Sequence, residues 1–122
     1  MLRRQVHPSM LDPVVGFSSA VFMPEDPDDG TISTLRGHVE PDEAYRRHVA
    51  SDLKSVGTWG LSVGEALGHG LPSWDDGLIN GNPQDHASVD FAEFPAKTRR
   101  HKIAKKLRDV AVTRGCLYSP EP

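Results

Sequence analysis

The polar residues best placed for chemistry alternate along one short segment, 86–91. His86, Ser88 and Asp90 fall on one side of it, and the period is that of a half-buried β-strand. The apolar residues on the other side are Ala87, Val89 and Phe91. A histidine, a hydroxyl and a carboxylate are the groups of acid–base or nucleophilic catalysis. Neighbours on one strand face lie about 7 Å apart, so a triad would need residues from other strands, such as His7 or Tyr118. The three are therefore weak catalytic candidates, since an exposed sheet face alternates in the same way.

A long helix is predicted directly after this strand, at 96–114. Pro95 suits a first helical turn and Gly115 a helix end. Apolar residues at spacings of four, seven and eight lie on one face, with Ala104 beside them: Ile103, Leu107, Val110 and Ala111. This strand and helix have the clearest apolar faces in the chain, so we expect the other elements to pack against them.

The remaining elements predict one small α+β domain over 1–122, with a mixed or antiparallel sheet covered by two main helices. Further strands are predicted at 17–22, 31–35 and 58–63, the first two as a hairpin with a long loop, and 116–118 is a possible edge strand. The second helix is predicted at 41–53, on the same face of the sheet, with Tyr45, His48, Val49 and Leu53 inward. Residues 1–15 are expected to form an extended N-terminal arm. The predicted core consists of Trp59, Leu61, Val63, Val89, Phe91, Ile103, Leu107 and Val110.

Composition limits the class of protein. A chain of 122 residues fits one domain, and its hydrophobic content of 37% and charged content of 25% are ordinary for a globular fold. No apolar run is long enough for a membrane span, and the start MLRRQVHPSM lacks the apolar stretch of a secretory signal. A single cysteine, Cys116, excludes an internal disulfide and fits a reducing compartment. We therefore expect a cytoplasmic protein.

The net charge of −3 hides an uneven distribution. Residues 97–114 hold eight cations and one acid, and residues 1–96 hold six cations and fifteen acids. A basic helix of this kind faces an acidic partner, is screened by the acidic loops of its own domain, or exposes its charges to water. The nucleic-acid-binding candidates are Lys97, Arg99, Arg100, Lys102, Lys105, Lys106 and Arg108. No base-stacking aromatics lie among them, which weakens this interpretation.

The irregular segment 71–85 is long for a compact domain and holds a conspicuous tryptophan. Trp74 precedes two acids, Asp75 and Asp76, and tryptophan is enriched at binding hot spots. These three residues are the candidate partner-binding site. The alternative, which the pattern favours, is that Trp74 covers the edge of the core.

Three other patterns lack the features of a complete site, so we predict no metal and no cofactor. The acids 25, 26, 28 and 29 lack the distal glutamate of a calcium loop, and His48 with Asp52 has no second ligand pair. Glycines 57, 60, 64, 68 and 70 have neither dinucleotide nor P-loop spacing, and tight packing explains them better. Cys116 follows a helix C-terminus, whose negative end disfavours a reactive thiolate.

The order of several motifs resembles a group of small bacterial proteins of about this length. The motifs are RQVHP, FSSAVFMP, PDEAYRRH, SVGTWGLSVGEA, HASVDF and RGCLY, and they span most of the chain. The resemblance implies a free-standing domain. It carries no activity, cofactor or catalytic residue to transfer.

Three function classes follow from these patterns. The first is a non-catalytic module that binds another cytoplasmic protein in a regulatory or accessory role, since no catalytic pattern is complete and the charges are segregated. The second is a nucleic-acid-binding protein that uses the basic helix. The third is a small enzyme with a polar site around His86.

Overall fold

The structure is a computed structural model that describes residues 1–120. Its strands are β1 (Leu2–Gln5), β2 (Leu11–Asp12), β3 (Gly16–Phe17), β4 (Thr31–Leu35), β5 (Thr58–Leu61), β6 (Ser73–Asp75) and β7 (His86–Asp90). Its helices are α1 (Pro41–Ala50), α2 (Val63–Gly68) and α3 (Lys97–Arg114), with two 3₁₀ turns at Pro8–Met10 and Ser19–Phe22. The predicted α+β class is confirmed.

Five strands form one antiparallel sheet in the order β5-β1-β4-β7-β6, and β2 and β3 form a separate two-stranded ribbon. The register pairs Arg4 with Trp59 across β1 and β5, and Ile32 with Val89 across β4 and β7. The strands predicted at 31–35, 58–63 and 86–91 are therefore confirmed within two residues.

The N-terminal segment supplies a strand inside the sheet, where the sequence analysis placed none. β1 lies between β5 and β4, and its pairing with β4 is confined to Arg3 and Leu35. The chain start also docks closely on the turn after β4. A Cβ at Gly37 would collide with the backbone oxygen of Met1, so only glycine fits there.

The hairpin predicted for 17–22 and 31–35 is wrong. Gly16–Phe17 pairs with Leu11–Asp12, and Ser19–Phe22 is a 3₁₀ turn. Ser18 caps the start of this turn, because its side chain accepts a hydrogen bond from the Ala20 N–H. The side chains of this turn are still core residues, because Val21 and Phe22 are fully buried. Hydrophobicity was interpreted correctly here, but a local cap changed the backbone conformation.

The two main helices lie on opposite faces of the sheet, whereas one shared face was expected. α3 packs on the Ser19–Phe22 turn and on β5, where Ile103 and Leu107 join the main core. α1 lies across β1 and β5 on the other face, where the Thr58 hydroxyl donates to the carbonyl of Pro41 at 2.9 Å. The register explains this, because Gln5 and Thr58 are paired and alternate with the core-facing side chains.

Most of the predicted core is confirmed. Leu61, Val89, Phe91, Ile103 and Leu107 are buried, and Trp59 and Val110 are half-buried. Val63 was wrongly placed in the core, because it follows the Ser62 cap and starts α2 on the surface, 46% exposed.

The predicted inner face of α1 is also partly wrong. Val49 and Leu53 are exposed, and the single buried residue of the helix is Ala44. α1 ends at Ala50, three residues before the predicted end, so its last turn never reaches the sheet.

Two further features complete the fold. The segment predicted as an edge strand at 116–118 forms one antiparallel bridge, between Tyr118 and Thr58 on β5. Among residues 1–120, no helix combines the length and the apolar character that crossing a lipid bilayer requires.

Truncation of the α3 core should strongly destabilise the fold. Leu107 is fully buried, so Leu107→Ala should lower the free energy of unfolding by about 2–5 kcal/mol, the usual cost of a core cavity. Leu67→Ala removes the same atoms from a side chain that is 60% exposed and should cost about 0.5 kcal/mol or less. Urea denaturation measures both, and equal costs would contradict the core assignment.

Candidate functional site

The edge of the sheet formed by β6 and β7 gathers the polar residues that the sequence singled out. β6, the loop 76–85 and β7 form one hairpin, with Trp74 directly opposite Ser88. Asp76, just past β6, receives two hydrogen bonds from β7. Nδ1 of His86 and Oγ of Ser88 each lie 2.6 Å from one of its carboxylate oxygens.

This geometry joins a histidine, a serine and an aspartate, but not in the order of a catalytic triad. Ser88 donates to the carboxylate of Asp76, and no hydrogen bond joins Ser88 to His86 in residues 1–120. A nucleophile needs its base within hydrogen-bond reach. Ser88 and His86 are also only 7% and 5% exposed. The cluster therefore acts as an anchor between the two strands.

Asp76 stays ionised in this environment. Burial raises the pKa of its carboxyl group, but the hydrogen bonds from Ser88 and His86 outweigh this effect and lower the pKa below its usual value. The folded state thus favours the charged form of the central acceptor.

The third member of the predicted polar face, Asp90, holds the tryptophan. Nε1 of Trp74 donates to Oδ2 of Asp90 at 3.1 Å, while the residue remains 55% exposed. Trp74 therefore lies on an edge strand, not in the irregular loop that the sequence predicted. The exposed Asp75 forms an ion pair with Arg36 at 3.1 Å.

The outer edge of β6 presents unpaired backbone groups. The Asp76 N–H donates to His86 and the Asp90 N–H to Pro72, so the residues between them alternate in and out of the β7 ladder. By this alternation the N–H and C=O groups of Ser73 and Asp75 point away from β7. No other strand pairs with β6 in the part of the chain that the structure describes.

The loop of the hairpin carries two exposed apolar side chains. Leu78 is 74% and Ile79 54% exposed. Leu78 also has a φ of 65°, a left-handed conformation that is unfavourable for a bulky residue. The tip is thus held in a strained shape with apolar groups in water.

The structure divides the predicted nucleic-acid-binding set. Arg100 and Arg108 point inward and are 8% and 7% exposed, so their place in that set is wrong. Arg100 donates to the carbonyls of Phe94 and Pro27, and Arg108 to that of Phe17. Both lie on the apolar face of α3. There they donate hydrogen bonds to backbone carbonyls of segments that pack against the helix.

The other cations of α3 are exposed. Lys97 lies at the start of the helix, and Arg99 stacks on Phe94 with its guanidinium carbon 5.7 Å from the ring centre. Helical spacing brings four of them onto one outer face: Arg99, Lys102, Lys105 and Lys106. We call these four the basic stripe. None of the four forms an ion pair with a residue of 1–120.

The acidic patterns have local roles. Asp26 accepts from the N–H groups of Asp28 and Asp29, and Asp29 accepts the hydroxyl of Thr31, so the loop 25–29 caps itself. No cluster of three or more histidine, cysteine or acidic side chains in residues 1–120 is arranged to hold a metal.

Close packing accounts for three of the five glycines between residues 57 and 70. A Cβ would meet the backbone of Tyr118 at Gly57, Leu117 and Met1 at Gly60, and Phe94 at Gly70, whereas Gly64 and Gly68 are unobstructed. Near the same place, burial raises the pKa of the Cys116 thiol. That direction agrees with the prediction, although its main cause is burial, not the helix end.

Sequence reasoning missed two residues that organise these sites. Asp76 was grouped with Trp74 as a contact residue, although it is the acceptor for His86 and Ser88. Arg4 was not singled out, yet it alternates with Leu2 and Val6, both buried. An arginine between two apolar residues of one strand face was the available signal for a partly buried charge.

Comparison with protein-family models, with curated proteins and with solved structures finds no match to this chain. The functional argument therefore depends on the geometry alone.

Loss of the Asp76 carboxylate should destabilise the hairpin in a pH-dependent way. Asp76→Asn cannot accept both hydrogen bonds in the same way, so we expect the free energy of unfolding to fall by about 1–3 kcal/mol at neutral pH. The pKa of Asp76 is lowered by folding, so its contribution is complete above the unfolded pKa of about 3.9 and declines as the pH falls through the folded value. Urea denaturation at pH 7 and pH 3 tests this.

The matched control is Asp75→Asn, since Asp75 is exposed and pairs only with the exposed Arg36. We expect a change within about 1 kcal/mol at either pH. A pH-independent loss in Asp76→Asn would contradict the role of its charge.

Proposed function

We propose that this protein is a non-catalytic module that binds another protein through the edge hairpin, residues 73–90. The observation that carries the proposal is the outer edge of β6, where the backbone groups of Ser73 and Asp75 are unpaired beside the exposed Trp74. An extended segment of a partner adds to such an edge by main-chain hydrogen bonds, and side-chain contacts supply specificity.

The charge of the hairpin defines the chemistry of the partner. Residues 71–90 contain four acids and no lysine or arginine. A basic segment would therefore be attracted and an acidic one repelled, which affects association rates more than final affinity. Trp74 and the apolar tip at Leu78 and Ile79 offer the area that a contact anchor needs.

The anchoring of the hairpin supports a binding role. Asp76 holds one end of β6 to β7, and Asp90 holds the indole of Trp74 near the other end. A strand edge that is rigid before binding loses less entropy on association. The same interactions leave His86 and Ser88 without the geometry for nucleophilic catalysis.

The test is selection of peptides from a displayed random library on the wild-type protein, followed by affinity measurement. We expect basic, extended peptides. Asp75→Pro removes the outward N–H of Asp75 without touching a β6–β7 hydrogen bond, and prolines are tolerated at outward edge positions. It should lower the affinity for the selected peptides about tenfold or more, because one main-chain hydrogen bond is lost and its acceptor on the peptide is left unpaired.

The matched control is Asp75→Ala, which removes the same side chain and the same ion pair with Arg36 but keeps the N–H. It should retain most of the affinity. Trp74→Ala provides an independent variant and should also weaken binding. If the selected peptides bound Asp75→Pro and Trp74→Ala as tightly as they bind the wild-type protein, the outer edge of β6 would be excluded as the binding site.

The basic stripe favours a second function, nucleic-acid binding. Its four cations point outward on one face of α3 and form no ion pair within residues 1–120, which fits a polyanion. If it binds, affinity for a short DNA or RNA duplex should fall steeply with salt. Lys102→Glu should weaken binding, while Arg46→Glu, an equal charge change on α1, should not. Fluorescence anisotropy at low salt measures this, and equal effects of the two variants would exclude the stripe.

A further inference from the structure

A polar groove lies on the α1 side of the sheet, away from the edge hairpin's outer strand. It has a volume of about 580 Å³, within the range of small-molecule sites. Its floor is the outward side of β4, because α1 covers only β1 and β5. The charged and polar side chains that line it include Arg4, His7, Glu25, Asp26, Ser33, Arg47, His48 and Lys54.

The groove exists because β1 and β4 separate beyond their single pair, Arg3 and Leu35. The guanidinium of Arg4 enters the gap, where it donates to the carbonyls of Val21 at 2.8 Å and Ser33 at 2.7 Å. Only Nε and Nη1 are used in these bonds. Guanidinium has five N–H donors, so three remain for a ligand.

Four cationic or titratable groups line the groove: Arg4, His7, His48 and Lys54. None of them lies within ion-pair distance of a carboxylate in residues 1–120. Burial lowers the pKa of His48, and the nearby Arg4 and His7 lower it further. The charges of Arg4 and His7 therefore disfavour a charged His48, and an anion placed among these three side chains would relieve that repulsion.

Three carboxylates also line the groove. Burial lowers the pKa of Arg4, and the negative charge of Glu25 partly offsets this effect, although the two form no ion pair within residues 1–120. Asp26 and Asp29 are the other two, and both already accept local hydrogen bonds. Carboxylates there would repel a long polyanion and accept hydrogen bonds from hydroxyl or ammonium groups.

We propose that this groove binds a small molecule whose anionic group, phosphate or carboxylate, contacts Arg4 and whose hydroxyl or ammonium donors contact the carboxylates of Glu25, Asp26 or Asp29. The anion contacts the free N–H groups of Arg4 together with His48 and Lys54. The exposed Ser33 on the floor of the groove supplies a further hydroxyl. Asn82, Pro83 and His86 of the edge hairpin also line the groove, but the outer edge of β6 does not, so this proposal does not depend on the function proposed for the hairpin.

The test is an NMR titration of the ¹⁵N-labelled protein at constant ionic strength. Inorganic phosphate and acetate are titrated separately, which distinguishes the two anion sources. Glycerol phosphate, which adds hydroxyl donors, then tests the contact with the carboxylates. We expect saturable shifts at Ser33, His48 and Lys54 with at least one anion, and tighter binding of glycerol phosphate than of phosphate. The tighter binding should disappear in Glu25→Gln.

His48→Gln and Lys54→Gln are the informative variants, because Arg4 also holds Val21 and Ser33 and is left intact. Each should weaken the anion about two- to fivefold, the effect of one exposed charged contact. Lys102→Gln on α3 is the matched control and should leave the affinity unchanged. The proposal would be overturned if no anion gave saturable shifts in the groove. It would also be overturned if Lys102 shifted as much as the groove residues, or if Lys102→Gln weakened anion binding as much as His48→Gln and Lys54→Gln.

Discussion

The fold depends on the insertion of the N-terminal strand between β5 and β4. β1 pairs with β5 over its full length, but with β4 only through Arg3 and Leu35. Beyond that point the guanidinium of Arg4 replaces the missing ladder by binding the Ser33 carbonyl. A charged side chain in this place supplies a donor to backbone carbonyls that the interrupted ladder leaves unpaired. One arginine thereby holds the two halves of the sheet together and leaves the gap that becomes a groove.

The same strand also sets the position of α1. Arg3 donates to the carbonyls of Val39 and Gly37 in the connection that leads into the helix, and Gln5 donates to the Thr58 hydroxyl. These contacts lie on the face opposite the main core, where α1 packs mainly on β1 and β5 and the groove lies over β4. The outward side of the sheet is therefore divided into a covered half and an open polar half.

Local patterns predicted the elements whose partners are simple. The alternation at 86–91 and the spacing of Ile103 and Leu107 identified β7 and α3, because one buried face is enough to define each. Residues 17–22 failed because a serine cap stabilises a 3₁₀ turn with the same buried side chains. β1 was missed because its strand pattern is interrupted by Arg4, whose burial depends on carbonyls distant in sequence.

The candidate sites were harder to predict than the fold. The sequence identified His86, Ser88 and Trp74 as notable, but their roles depend on acceptors at Asp76 and Asp90 across the hairpin. The basic residues of α3 show the same limit. Arg100 and Arg108 differ from the neighbouring cations because they donate to the carbonyls of Pro27 and Phe17, which are distant in sequence. Gly30 is part of that arrangement, because a Cβ there would press on the Arg100 guanidinium at 3.0 Å.

The hairpin shows how buried polar groups can serve a surface. Asp85, at the end of its loop, accepts from Arg47 on α1 and is hydrogen-bonded to His38, while Asp76 and Asp90 hold β6 to β7. Three carboxylates thus fix the loop, the strand end and the indole from the inside. Because the inner backbone groups of β6 pair with β7, new contacts are left to its outer backbone groups, the exposed indole of Trp74 and the apolar tip of the hairpin. The polar residues that resemble a catalytic set in the sequence therefore act by keeping an open strand edge in a fixed shape.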